Sequence, residues 1–169
     1  PPPMPSAIDL ARGHPALTEA VQRGRKILHR RALVAAAAGA VPVPGLDWAV
    51  DAALLSRMIP KINAEFGLMP DQLDRLTPHE RERVQKAVAL VGTVLIGKFI
   101  TRDLVLKAAK TVGLRLTAGQ AARYVPLAGQ AVSALVGYTA IRYLGEEHLK
   151  DCVRAALKAD LRLPNQPST

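Results

Sequence analysis

Ala32-Leu33-Val34-Ala35-Ala36-Ala37-Ala38-Gly39-Ala40-Val41-Pro42-Val43-Pro44-Gly45-Leu46-Asp47 is an apolar run, rich in Ala, that ends in a Val-Pro-x-x-Gly turn and restarts at once. A proline cannot continue a helix, because its ring clashes with the carbonyl of the preceding turn, and glycine accepts the backbone angles of a tight reversal. The stretch therefore reads as two antiparallel helices joined at Pro42, Pro44 and Gly45. The same punctuation recurs as Val125-Pro126-Leu127-Ala128-Gly129, again between helical runs, so Pro126 and Gly129 mark a second hairpin. The fold class follows: an all-α, compact bundle of about six helices built round two apolar helical hairpins.

Working outward, Leu17, Val21, Leu28, Ala32 and Ala35 keep helical spacing, which predicts a first long helix from about Ala16 to Ala40. A second spans Leu46 to Phe66, with Pro60 as a kink and Gly67 and Pro70 as its stop. Asp47 falls in its first turn, where the backbone dipole stabilises a carboxylate by roughly 0.3 to 1 kcal/mol. Thr77-Pro78-His79-Glu80 is a capping box that starts a third helix, charged at first and apolar from Ala87 to Ile100, with a break near Thr101. Thr117-Ala118-Gly119-Gln120 is a second box. The final helices are expected from Gln130 to Leu144 and from Glu146 to Leu161. Residues 1–15, opening Pro-Pro-Pro-Met-Pro, read as a flexible tail, 16–163 as one helical domain, and 164–169 as a second tail.

The chain has 169 residues, 49% of them hydrophobic but only 4% aromatic, and a net charge of +9. Its mean hydropathy is +0.11 and its pI about 10.2. Small side chains favour helices that approach closely, and the charge favours polyanions, whether lipid headgroups, nucleic acid or an acidic protein. The apolar runs fall short of the about 20 residues a spanning helix needs, so core helices or re-entrant hairpins are expected rather than spans. Residues four apart, Ala35 and Gly39, then Ala89, Thr93 and Gly97, then Gly129, Ser133 and Gly137, form small-residue ridges. Gly97, Ser133 and Gly137 are accordingly read as helix-packing positions.

No catalytic constellation stands out. Gly92-Thr93-Val94-Leu95-Ile96-Gly97-Lys98 matches the start of a phosphate-binding loop, but Phe99 replaces the magnesium-binding hydroxyl and the interior is apolar within an expected helix. His14, His29, His79 and His148 show no metal-ligand spacing, so no metal and no cofactor are expected. Cys152 sits on an apolar stripe and reads as a buried, inert thiol. Ser133 lacks a nucleophile elbow. Asp51, flanked by apolar residues, reads as exposed or paired with an arginine rather than as a proton site.

The most informative functional signal is Arg23, Arg25, Lys26, Arg30 and Arg31, a cationic stretch abutting the Ala32 apolar run. Each basic residue near an anionic leaflet contributes about 1 kcal/mol, and adjoining apolar side chains add insertion energy. The competing reading is a solvated helix face. Nucleic acid is disfavoured, because no aromatics interleave with the cations for stacking. The expected partner is thus an anionic membrane lipid surface, with a protein partner or a homo-oligomer as the other class. A soluble helical module regulating a GTPase or transporter is the alternative function.

Val41-Pro42-Val43-Pro44-Gly45-Leu46-Asp47, Met58-Ile59, Glu65-Phe66-Gly67, Gly113-Leu114-Arg115-Leu116-Thr117, Tyr124-Val125-Pro126-Leu127-Ala128-Gly129 and Gly137-Tyr138 together resemble the EcsC protein family and the helical domain beside bacterial YcjF-type GTPases. The resemblance runs from about Arg31 to Arg154. It implies an all-helical, membrane-associated bacterial domain on the cytoplasmic side, with no catalytic residues to carry over.

Overall fold

The local signals produce helices in chain order, and the computed structural model of the chain describes residues 4–39, 46–93, 95–97, 101, 104 and 130–166. Within these, the side chains of 38–39, 46–53 and 130–140 are not described. A short helix, α1 (Ala7–Leu10), is followed by α2 (Pro15–Gly39), α3 (Leu46–Glu65), α4 (Pro70–Asp74), α5 (Pro78–Val91) and α6 (Gln130–Ala159). All regular structure among the described residues is helical. The helices pack as a bundle in which α6 touches α1, α2, α3 and α5, while α2 also packs on α3.

The helix ends follow from identifiable caps. Ser6 accepts from the Asp9 amide and Asp9 reaches back to the Ser6 amide, so α1 is nucleated by a capping box. Part of the 1–15 stretch expected to be a flexible tail is helical and docked: Ala7 and Ala11 are completely buried, and the Ala7 amide donates to Glu146 Oε1 on α6. At α5, Thr77 accepts from the Glu80 amide as expected, but Glu80 takes the Thr77 hydroxyl proton rather than the backbone amide. α3 closes in a Schellman motif, with Gly67 at φ +71° and the Leu68 amide reaching the Asn63 carbonyl at 2.9 Å. α6 closes the same way on Asp160, at φ 49°, with Leu161 N on the Ala156 carbonyl. Pro60 lies inside α3, as the sequence places it.

Two expectations fail for physical reasons. The third long helix stops at Val91 instead of reaching Ile100, because Gly92 takes the left-handed conformation (φ +79°) and the Thr93 hydroxyl accepts from the Leu95 amide. Gly97 is therefore not on a helix ridge. It has φ +77° in an irregular segment, where it lies close to Leu73, and Ala89, the first member of that ridge, is exposed. The break expected before Glu146 is also absent, since α6 runs unbroken through Gly145. At about 1.5 Å per residue its thirty residues span about 45 Å.

Gly145 is present for contact, not for a turn. Leu28 of α2 lies directly over it, and one turn away Leu149 of α6 lies over Gly24 of α2, so each helix presses a leucine against the other's glycine. Leu28 and Leu149 are completely buried. A Cβ at Gly24 would meet Leu149 Cδ2 at 2.5 Å, with the remaining leucine atoms at ordinary contact distance. At Gly145 it would overlap Leu28 Cδ1 and also stand 2.9 Å from Cδ2 and 3.0 Å from Cγ. Around this contact the core continues through Val21, Met58, Ile59, Ile62, Phe66, Ile141 and Val153.

Alanine is favoured over glycine inside a helix by about 1 kcal/mol, whereas overpacking a sealed core costs about 1 to 3 kcal/mol. Gly24→Ala displaces one terminal methyl and is expected to be near neutral. Gly145→Ala displaces the whole Leu28 side chain and is expected to lower unfolding free energy by about 1 to 2 kcal/mol in urea denaturation. Equal effects at the two sites would count against this geometry.

Candidate functional site

The buried side of α2 carries Leu17, Ala20, Val21, Gly24, Leu28, Ala32 and Ala35, so its opposite face meets solvent. On that face Lys26, Arg30, Leu33 and Ala37 recur at three- and four-residue spacing and are all exposed. Val34 sits one turn beyond Arg30. Leu33 and Val34, at 51% and 48% exposure, stand out as large apolar side chains left in water on a helix whose other face is core. Cation and grease are thus consecutive on one surface, not merely adjacent in sequence.

The predicted five-residue cluster does not stay together. Arg23 Nε donates to Glu65 Oε2 of α3 at 2.6 Å and lies 3.9 Å from Glu19. Arg25 forms a two-pronged pair with Glu146 of α6, through Nη2 at 2.6 Å and Nε at 3.2 Å. Burial raises the Glu146 carboxyl, but the Arg25 and Ala7 hydrogen bonds outweigh it, and the net shift is below the ordinary value. These two arginines fasten α2 to its neighbours. Lys26 and Arg30 point outward without a carboxylate partner among the described residues, and Arg31 is half-buried beside them.

The turn residues Pro42, Pro44, Gly45, Pro126 and Gly129 lie outside the described residues, as do the 117–120 box and Phe99. Ser133 and Gly137 fall within α6, and Asp47 and Asp51 within α3, at positions whose side chains are not described. The Gly92–Lys98 motif was expected inside a helix. Its described residues are irregular instead, and Ile96 is buried in the core.

A second constellation went unread in the sequence. Asn63, His148 and Cys152 are buried together. His148 Nε2 lies 2.7 Å from Asn63 Oδ1, Cys152 Sγ lies 3.6 Å from the same oxygen and 3.5 Å from Nε2, and Asn63 Nδ2 donates to the Leu95 carbonyl at 2.8 Å. The donation to Leu95 fixes which end of the amide is oxygen, so Nε2 must carry the ring proton. The signal was present as His148 and Cys152 four apart on one helix, with Asn63 lone among Ile62, Ala64 and Phe66.

Thiol, imidazole and amide are the residue set of cysteine nucleophiles, but this arrangement does not activate the sulfur. The nitrogen nearest the thiol is a donor, and no base faces it among the described residues. Burial pushes the Cys152 thiol well above its ordinary value, with the Asp151 carboxylate adding to the effect. Burial also lowers His148 to about 4, so both groups are neutral near pH 7. The cluster instead ties α3, α6 and Leu95 together through one asparagine. Among the described residues, no group of three His, Cys, Asp or Glu side chains could hold a metal ion.

No family model, curated protein or solved structure matches the chain.

Asn63→Leu leaves the Leu95 carbonyl and the His148 Nε2–H without partners, and each buried orphan costs about 1 to 3 kcal/mol. An unfolding free energy lower by at least about 2 kcal/mol is expected in urea denaturation. An unchanged midpoint would show that the amide is not a junction.

Proposed function

We propose that the protein is a non-enzymatic helical module that binds anionic membrane surfaces through the outward face of α2. The single observation that carries this reading is the exposed succession Lys26, Arg30, Leu33, Val34 on one helix face. A helix lying at a membrane interface needs this combination, with cations at the headgroup level and apolar side chains directed into the acyl boundary. The net charge of +9 adds long-range attraction to the same surface.

Magnitudes define the mode. Lys26 and Arg30 contribute about 2 kcal/mol together at an anionic leaflet, and burying the exposed halves of Leu33 and Val34 adds about 2 more. A total of about 4 kcal/mol corresponds to millimolar affinity, so this face alone gives reversible contact. Durable association needs a second element, and the Val41–Gly45 stretch that follows α2 in the sequence is assigned that role in the proposal. No helix among the described residues is long and apolar enough to cross a membrane. The proposal places the chain at the cytoplasmic face of a bacterial membrane, as its resemblance to the EcsC family implies, and that family membership is part of the same proposal. Arg23 and Arg25, engaged with Glu65 and Glu146, are supporting struts in it.

The test is flotation of the full chain with vesicles of phosphatidylcholine alone or mixed with phosphatidylglycerol, at low and high salt. Binding is expected only to the mixed vesicles and should weaken with salt. Lys26→Ala with Arg30→Ala should reduce it about thirty-fold, the equivalent of about 2 kcal/mol, while Arg83→Ala on α5 should have a smaller effect. Trp48, the only tryptophan and three residues after Gly45 in the sequence, should shift its emission to the blue on binding. Equal recovery with both vesicle types, or with neither, would reject the proposal, and a salt-independent oligomer would favour the interaction-module alternative.

A further inference from the structure

Among the described residues, the buried side-chain atoms without a hydrogen-bond partner are His148 Nδ1 and Asn165 Oδ1. The first belongs to the cluster that joins three segments of the fold. His148 Nε2 donates to Asn63, so Nδ1 is a lone pair sealed from solvent with no hydrogen-bond partner among the described residues. Proton uptake there creates a cationic N–H with no acceptor, in a place where an uncompensated charge is among the costliest of buried features. Water must then enter, or the ring must leave.

We propose that Asn63, His148 and Cys152 form an acid-operated clasp: protonation of His148 Nδ1 by solvent releases α3, with Leu95 bonded to it, from α6, while the α2–α6 contact holds. The geometry makes the opening local. Asn63 carries hydrogen bonds from α3 to both α6 and Leu95, whereas α2 and α6 are held separately by the leucine–glycine pairs and by Arg25 on Glu146.

The surroundings leave the proton uncompensated. On α6, Cys152 faces the ring as a neutral thiol, Glu146 is engaged with Arg25, Glu147 with Lys150, and Asp151 lies 3.6 Å from Arg154. From α3 the facing group is the neutral Asn63 amide, and Glu65 is engaged with Arg23 of α2. On α5, Arg81 donates to the Leu73, Asp74 and Leu76 carbonyls, Glu82 pairs with Lys86, and Arg83 is exposed. Among the described residues, none of these charged groups forms an ion pair with the imidazole.

The pH window follows from the direction of the shift. Burial holds folded His148 at about 4 against an ordinary 6.5, so the unfolded or opened state binds the proton more readily between these values. The clasp is fully stable above 6.5 and weakens as pH falls toward about 4. Glu146 is lowered instead, so its contribution is present above its ordinary 4.5 and is lost below it, in a more acidic range that meets the His148 window only at its lower end.

Cys152 is a built-in reporter. Its labelling by a dithiodipyridine, relative to the urea-unfolded chain at each pH, cancels the reagent's own pH dependence. The relative rate should rise on the order of a hundredfold from pH 6.5 to about 4. In hydrogen exchange, amides at 62–63 and 95–97 should lose protection before those of 20–28. His148→Gln retains a donor for Asn63 without titrating and should flatten the rise. A flat wild-type profile, simultaneous loss of protection in α2, or an equal rise in His148→Gln would overturn the clasp. If His148→Gln does not fold, the wild-type labelling profile and order of exchange decide. The vesicle experiments run at neutral pH, so the two proposals fail separately.

Discussion

The contact on which the rest of the structure depends is the mutual insertion of leucine against glycine between α2 and α6. Leu28 lies over Gly145 and Leu149 over Gly24, with both leucines sealed from solvent. Close-packed interiors tolerate little volume change, so this pairing sets the register of the two longest helices. From that register come the reach of Arg25 to Glu146, the docking of α1 through the Ala7 amide, and the placement of His148 opposite Asn63.

Electrostatics divides the cationic segment of α2 by direction. Arg23 and Arg25 turn toward carboxylates on α3 and α6, and their half-buried pairs are less exposed to solvent screening than surface ion pairs. Lys26 and Arg30 turn outward and continue into Leu33 and Val34. One helix therefore serves two purposes: its inner face builds the core, and its outer face presents charge beside apolar surface. A solvated face, the simpler account of the cations, does not explain why the large exposed side chains of this helix follow on the same stripe.

The sequence reading succeeds where the governing physics is local. The helix start at Thr77, a long helix beginning within a residue of Ala16, the stop at Gly67 and the all-helical class all follow from caps and periodicity within a few residues. It fails where glycine has more than one use. Gly145 looks like a break but is a contact point, while Gly92 and Gly97 look like helix interior but take left-handed angles. Whether a glycine serves an angle or a neighbour depends on a helix more than a hundred residues away, which no local window contains. The site was half legible for the same reason. The charge next to an apolar run could be read, but which arginines would meet Glu65 and Glu146 could not, and Asn63 with His148 are joined only by the tertiary fold.

The direct test of the central contact is a double-mutant cycle on Leu28 and Gly145. Leu28→Ala opens a cavity expected to cost about 2 to 5 kcal/mol, and Gly145→Ala overpacks the same space from the other side. If the two side chains share one volume, the methyl of Gly145→Ala occupies part of the space vacated by Leu28→Ala. The double variant should then lose at least about 1 kcal/mol less than the sum of the single losses. Additive losses would contradict the account, because they would mean that Leu28 and Gly145 do not meet.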